Sequence, residues 1–502
     1  MEVFANLALG FDAVLTTTNL LYAFVGVFLG TLIGVLPGLG PLVAIAMLLP
    51  ITFQLEALSS LIMLAGIFYG AQYGGSTTAI LINLPGEASS IVTTLDGYQM
   101  ARRGQAGKAL ATAAIGSFVA GCIATLLIAF FAPPLAAVAF EFGPAEYFSL
   151  MVCGLVVSMV LAHGSLLKAF AMVVFGLLLG LVGTDTQTGV FRFTLGITEL
   201  SDGISVAALA MGLFGIGDII HNLEAGSNRE LLVKRVTGLM PTREDMKQMT
   251  APIFRGTFVG SALGILPGGG ALLASFSAYA VEKKIARDPS RFGKGAIEGV
   301  AGPEAANNAG AQTSFVPMLT LGIPSNPVMA LMIGAMIVQG IEPGPGVVTD
   351  QPVLFWGIIA SMWIGNLMLV VLNLPLVGMW AKLVTVPYHY LYPGVLVFSA
   401  IGVFSVNNTP FAVFTMAAFG ILGYLFIKLE CETPPLILGF ILGPMMEQHM
   451  RRALVLSKGD GTVFFTEPIS AALLAVAFLA LLTVLLPAMR RTREVALKED
   501  DR

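Results

Sequence analysis

Residues 30–40 read GTLIGVLPGLG, and residues 260–270 read GSALGILPGGG. The two copies align without a gap, sharing Gly, Gly, Leu, Pro, Gly and Gly, with Thr31/Ser261, Ile33/Leu263 and Val35/Ile265 as conservative pairs. Each lies inside a long apolar run, and a second paired element follows each. The first is GAQYGGSTTAILINLPGEASS at 70–90, and its partner is NNAGAQTSFVPMLTLGIPSNP at 307–327. Glycine and proline interrupt helices through permissive φ, a missing N–H and ring clash. In lipid an interrupted helix exposes backbone groups, so it survives only where it is buried or lines a cavity. Two interrupted segments at corresponding places of two halves are the sequence mark of a transporter binding site.

The rest of the chain permits this reading. Of 502 residues, 56% are hydrophobic and only 11% charged, against roughly a quarter charged in soluble domains. Such a chain cannot cover itself with a polar surface, so the expected class is an all-α polytopic membrane protein. Cys122, Cys153 and Cys431 are too scattered for a disulfide framework. The first basic residue is Arg102, so no charged leader of a cleavable signal peptide is expected.

Apolar runs at 18–36 and 39–53 flank the first LPG motif as half-membrane helices or a helix and a re-entrant hairpin. The run 57–84 is expected to break at Tyr73-Gly74-Gly75 and to close at Leu84-Pro85-Gly86. Further spans are expected near 110–132, 146–162, 166–183 and 204–220. In the second half the runs are 252–267, 270–281, a polar helix 300–316, then 317–339, 353–376, 393–405, 411–427, 434–447 and 468–487. The domain reading is a first transmembrane repeat over 1–220, a cytoplasmic linker 221–250, a second repeat over 251–487 and a cytoplasmic tail 488–502, with about twelve spans. The positive-inside rule places 96–109, 163–168, 221–250, 282–299 and the tail in the cytoplasm. Loops 54–58, 133–145, 184–203 and 340–352 then fall outside, and the two repeats enter the membrane in opposite senses. The segment 449–465, with Arg451, Arg452 and Lys458, resists this scheme: either 434–447 is re-entrant or the loop docks a partner. The external loop 133–145 is the other candidate docking surface.

A broken helix offers free N–H groups at one end and free carbonyls at the other, so it can hold an anion beside a cation. Gly34, Pro37, Gly264 and Pro267 are the expected hinges. Gly38, Gly40, Gly268, Gly269 and Gly270 would let a ligand approach the backbone. Ser76, Thr77, Thr78, Asn83, Asn307, Asn308, Gln312, Thr313, Ser314, Ser325 and Asn326 would complete the ligand set, shaped by Pro85, Gly86 and Pro324. Glu87 and Glu304 sit beside the two breaks, either at the interface or at functional depth. No arginine is expected inside a span, so a bound carboxylate would be held by helix termini and hydroxyls.

Enzyme signatures fail. Gly104–Lys108 lacks the spacing of a phosphate-binding loop, and His163, His221, His389 and His449 lie too far apart to suggest a metal cluster. Gly215-Ile216-Gly217-Asp218 matches the GxGD of intramembrane aspartyl proteases, but that chemistry needs a second aspartate, and no Tyr-Asp pair occurs. No metal and no cofactor are expected.

On GVLPGLG, YGGSTTAILINLPG, GILPGGG, PEAANNAGAQTSFVPMLTLGIPSNP and FILGPMMEQHMRRAL, the sequence resembles the large membrane subunit of the tripartite tricarboxylate transporter family over residues 15–487. The resemblance implies a multi-pass protein of the bacterial inner membrane. It implies two partners, a small four-span membrane subunit and a periplasmic solute-binding protein that captures the carboxylate. It also implies uptake driven by a sodium or proton gradient rather than ATP, with no nucleic acid involved. A passive channel for small organic anions is the alternative. The family's glycines and prolines carry over onto Gly34, Pro37, Gly38, Gly40, Gly264, Pro267, Gly268 and Gly270. Its polar break carries over onto Asn83, Pro85, Gly86, Asn307, Asn308, Pro324, Ser325 and Asn326.

Overall fold

The computed structural model describes residues 2–36, 40–52, 54–162, 165–185, 187–225, 236, 238–266, 270–384 and 388–485. Pro37, Gly38, Pro267, Gly268 and Gly269, expected in the site, lie outside the described residues, as do part of the linker and the tail 488–502. Among the described residues seven helices are long and apolar enough to cross a bilayer, joined by four shorter apolar helices of 10–17 residues. The chain is a helical membrane protein. Among the described residues the only strands form one two-stranded hairpin, Gly183–Thr184 with Phe191–Arg192.

Two compact units form, and each draws on both halves of the sequence. One comprises Met1–Ala137, Ser205–Ile265 and Gly269–Leu429; the other comprises Val138–Ile204, Leu266–Gly268 and Glu430–Arg502.

The first unit is built on two pairs of tightly packed helices. Helix Thr17–Gly34 lies on Ala57–Ile82, and Arg243–Gly264 lies on Glu298–Thr313. Glycine at every fourth position makes this possible. A Cβ on Gly26, Gly30 or Gly34 would stand 2.3, 2.4 or 2.3 Å from the carbonyl oxygen of Met63, Ile67 or Ala71. A Cβ on Gly256, Gly260 or Gly264 would stand 2.1, 2.3 or 2.4 Å from that of Gly302, Ala306 or Gly310. Lipid tails are as apolar as leucine, so helices in a membrane associate by such close backbone approach rather than by hydrophobic expulsion.

The repeated contacts fix the register between the halves. The step is 230 along the first helices (264 − 34) and 239 along the second (310 − 71). The step of 239 carries Asn83 onto Gly322 and Pro85 onto Pro324, where aligning 70–90 with 307–327 gives 237 (307 − 70). Asn83 (φ 60°) and Gly322 (φ 68°) both end their helices in the left-handed conformation, each one residue before an X-Pro step. Such a residue stops a helix cleanly.

The break expected at Tyr73-Gly74-Gly75 is corrected: Ala57–Ile82 is one unbroken helix of 26 residues. Those glycines serve approach, not interruption. A Cβ on Gly74 would lie 2.4 Å from the Thr31 carbonyl oxygen, and one on Gly75 would lie 2.8 Å from Cγ of Glu87. Beyond the first LPG motif, Pro41–Thr52 has 12 residues, about 18 Å at 1.5 Å per residue. It is too short to cross a hydrocarbon core of about 30 Å alone. Arg255 corrects another expectation: it lies within the run 252–267, in helix Arg243–Gly264, and its guanidinium makes a bidentate pair with Glu282 (2.7 and 2.6 Å).

The external loop expected at 133–145 is largely helical, since Ala106–Ala139 continues through Pro133 and Pro134. In the second unit, Leu166–Gly180 packs on Pro434–Leu456 by the same device, with a Cβ on Gly176 placed 2.0 Å from the Leu436 carbonyl oxygen. Helix Pro434–Leu456 is continuous over 23 residues, so residues 434–447 do not form a separate segment. Arg451 is neutralised in place: Nη2 lies 2.9 Å from Asp185 Oδ2 and 2.5 Å from Glu447 Oε1. Arg192 completes the cluster, 2.8 Å from Glu447.

Two predictions follow from this packing. Gly30→Ala should destabilise the detergent-purified protein by about 1–3 kcal/mol, as overpacking does. Gly334→Ala, whose Cβ meets no atom within 4 Å, should be neutral or slightly stabilising; parallel thermal melts compare them. The second prediction concerns acid. The Gln187 backbone N–H and Arg451 hold the Asp185 carboxyl down at about 2. A depressed carboxylate stabilises above its unfolded value of about 3.9, and the effect fades as pH falls toward its folded value. Asp185→Asn should therefore melt below the wild type at pH 7, and the gap should close between about pH 4 and pH 2.

Candidate functional site

A buried polar centre lies inside the first unit, between the first break and the helix Glu298–Thr313. Its hub is Glu304 of helix Glu298–Thr313, with no solvent exposure. Ser76 Oγ donates to Glu304 Oε2 at 2.6 Å, and Thr93 Oγ1 donates to Oε1. Both donors come from the first half of the chain. The reverse contact comes from Asn307, whose Nδ2 donates to Glu87 Oε1 at 3.3 Å. Glu87 is half-buried and also accepts from Ser89. Each half thus supplies a carboxyl that the other half's polar side chains hold.

Helical spacing puts the second-half contribution on one surface. Glu304, Asn307 and Asn308 stand at i, i+3 and i+4, and Gln312 continues the row one turn on. Asn308 Nδ2 donates to Ser117 Oγ at 2.6 Å and to the Glu304 carbonyl at 3.1 Å. The Gln72 side chain accepts from Ser89 at 3.0 Å. Burying a carboxyl is costly unless it is paired or hydrogen-bonded. Here the bonding is supplied by hydroxyls and amides, and among the described residues neither Glu87 nor Glu304 joins an ion pair.

The other expected site residues divide into framework and margin. Thr78 Oγ1 donates to the Val35 carbonyl at 2.8 Å, whereas Ser314 Oγ donates to the Gly310 carbonyl of the preceding helix at 2.7 Å and lies 3.4 Å from that of Gly264. The Thr78 hydroxyl satisfies a carbonyl at the end of the helix that leads into the first LPG motif. Thr77 and Thr313 bond back to their own helices. Asn326 caps the helix Pro327–Val338 by accepting from the Met329 N–H at 3.0 Å, and its Nδ2 donates to Ser314. Ser325 donates to the Ser314 carbonyl at 3.3 Å, and Pro324 precedes it in the same tight turn. Gly270 packs near Asn326, whereas a Cβ on Gly40 would meet no described atom within 4 Å. Gly86 seals the first break: a Cβ there would lie 2.0 Å from the Gly34 carbonyl oxygen and 2.4 Å from Gly75 Cα. Asn83 is exposed and Pro85 only partly covered, so neither reaches the carboxyl centre.

Sequence reasoning did not include Gln72, Ser89, Thr93 and Ser117. Thr93 and Ser89 follow the first break in a run of ordinary loop composition, and nothing in their spacing singles them out. Ser117 carried a faint signal, as a hydroxyl beside Gly116 within an otherwise apolar run.

The sequence pattern of the tripartite tricarboxylate transporter TctA family matches residues 20–438. The chain belongs to this family. It is 60% identical over 501 residues, the full length of both chains, to an Agrobacterium vitis protein described as an uncharacterized 52.8 kDa protein in the TAR-I ttuC' 3' region. A second A. vitis protein, an uncharacterized protein in the TAR-II ttuC' 3' region, is 59% identical over 242 residues, covering 48% of this chain and all of that one. No solved structure matches. In this TctA-family protein the polar centre lies among the residues matched, and so do both glycine-packed helix pairs apart from the first residues of helix Thr17–Gly34.

Removing a donor from the Glu304 carboxyl should be felt directly. Thr93→Val and Ser76→Ala should each lower stability by about 1–3 kcal/mol, the cost of an unsatisfied buried acceptor. Combining either with Glu304→Gln in a double-mutant cycle should give a coupling above about 0.5 kcal/mol, read from denaturation in detergent.

Proposed function

We propose that this TctA-family chain is the large membrane subunit of a secondary transporter that imports tricarboxylates or related carboxylates on a sodium or proton gradient. Its partners are a small four-span membrane subunit and a periplasmic solute-binding protein, and its place is the bacterial inner membrane. The family is one of transporters, so no catalytic step is assigned. About twelve spans in two inverted halves is the arrangement proposed.

One observation carries the reading: the polar centre is made reciprocally by the two halves, Ser76 and Thr93 on Glu304, and Asn307 on Glu87. A site shared by two repeats can be opened to either side by moving one repeat against the other. The glycine-packed pairs give each half a rigid two-helix body for such motion. Substrate carboxylates would be held near the LPG motifs by helix termini and hydroxyls, without a guanidinium fork, and the substrate would be delivered by the binding protein.

The test is uptake of labelled citrate and other carboxylates into proteoliposomes holding this chain and its small partner. It is run with and without the binding protein under an imposed sodium or proton gradient. Uptake that requires both gradient and binding protein is expected, with Asn308→Ala reducing it at least about tenfold, equivalent to about 1.4 kcal/mol. Flux that ignores the gradient would mean a passive pore instead.

A further inference from the structure

We propose that Glu304 and Glu87, together with the amide oxygens of Asn307 and Asn308, form a binding site for a single dehydrated cation of sodium's size and charge. The inference deepens the carrier reading by assigning its coupling ion to named residues, and it rests on that reading for the ion's purpose.

The hydrogen bonds around the carboxyls set up the case. Both Glu304 oxygens are faced by hydroxyl donors, Ser76 and Thr93, and Glu87 is faced by Ser89 and the Asn307 amide N–H. Every one of these partners can donate, so both carboxyls are arranged as acceptors. The amide orientations are fixed by the same bonds. Asn307 must turn its N–H toward Glu87, and Asn308 must turn its N–H toward Ser117 and the Glu304 carbonyl. The oxygen of each amide is thereby left over. Asn307 Oδ1 and Asn308 Oδ1 are buried with no hydrogen-bond partner. Asn307 and Asn308 are 0% and 1% exposed.

The side-chain oxygens of Asn307 and Asn308 are therefore buried acceptors without donors, and acceptors left in this way are uncommon in folded proteins. A proton would satisfy one of them. A hard metal cation takes several oxygens at once, from carboxylates, amides and hydroxyls alike. Charge selects the valence. Glu304 is the one fully buried carboxyl of the pair, and a monovalent ion neutralises it. Glu87 is half-buried.

A small cleft is lined by Tyr73, Ser76, Thr77, Ser117 and Asn373 among others. Ser76 and Ser117 are the residues bonded to Glu304 and Asn308. An ion bound there would tie together groups from both halves of the sequence. That gives it a differential effect on any state in which the halves separate, which is what coupling requires.

Binding of ²²Na⁺ to the full-length chain purified in detergent tests the site without transport, with choline chloride holding ionic strength constant. Saturable binding is expected, competed by unlabelled sodium and not by choline, calcium or magnesium. Glu304→Gln should weaken it at least about tenfold, and Asn308→Ala several-fold. Gly334→Ala should leave it unchanged. Matching elution profiles and sodium-free melting temperatures establish that the variants fold, and Ser76→Ala replaces Glu304→Gln if that variant does not. No saturable binding by the wild type, stronger competition by a divalent ion, or unchanged affinity in the folded variants overturns the proposal. A stability that responds to pH and not to sodium also overturns it, in favour of a bound proton. Sodium binding without carboxylate uptake would remove the carrier reading and leave the site. Uptake without sodium binding would do the reverse.

Discussion

Close contact between helix backbones is the constraint on which the rest of this structure depends. Gly26, Gly30 and Gly34 set one helix against the carbonyls of Met63, Ile67 and Ala71, and Gly256, Gly260 and Gly264 do the same against Gly302, Ala306 and Gly310. No side chain larger than hydrogen fits at these points. In a membrane the hydrophobic effect does not drive helices together, so the gain from dispersion at such short range has to serve instead. The zippers bring the helices bearing Ser76 and Glu304 into stable bodies, and the chain can then break cleanly at Asn83 and Gly322.

Those breaks and the polar centre solve one problem from two sides. A helix that stops inside an apolar protein leaves carbonyls without partners. Thr78 lends its hydroxyl to the carbonyl at Val35 and Ser314 to that of Gly310, so part of the polar inventory in the two breaks is spent on the framework. What remains, centred on Glu304, Asn307 and Asn308, is concentrated where the two halves meet. The division separates residues that hold the backbone from residues with acceptor oxygens to offer.

The second compact unit follows the same packing rule with a different surface. Gly176 and Gly439 admit close contact between Leu166–Gly180 and Pro434–Leu456, while Arg192, Asp185, Glu447 and Arg451 form a charged cluster around its hairpin. Arg451 thus has two carboxylate partners within its own unit.

The sequence alone determined that the chain is a helical membrane protein with a duplicated LPG element and a Gly-Pro-interrupted polar partner. Apolar content and the spacing of glycine and proline are local properties, and local properties survive without coordinates. It also marked Ser76, Asn307, Asn308, Glu87 and Glu304 as worth attention, because polar groups are rare in such a chain. Only the tertiary structure decided which glycines interrupt and which admit a neighbour. Gly74 and Gly75 looked like a break, yet they sit mid-helix against Thr31 and Glu87. It also decided the register of the second element, since a step of 239 rather than 237 follows from which carbonyl each glycine meets. Thr93 and Ser117 entered the site in the same way. Their role rests on contacts across 211 and 191 residues, and no local pattern encodes a partner at that distance.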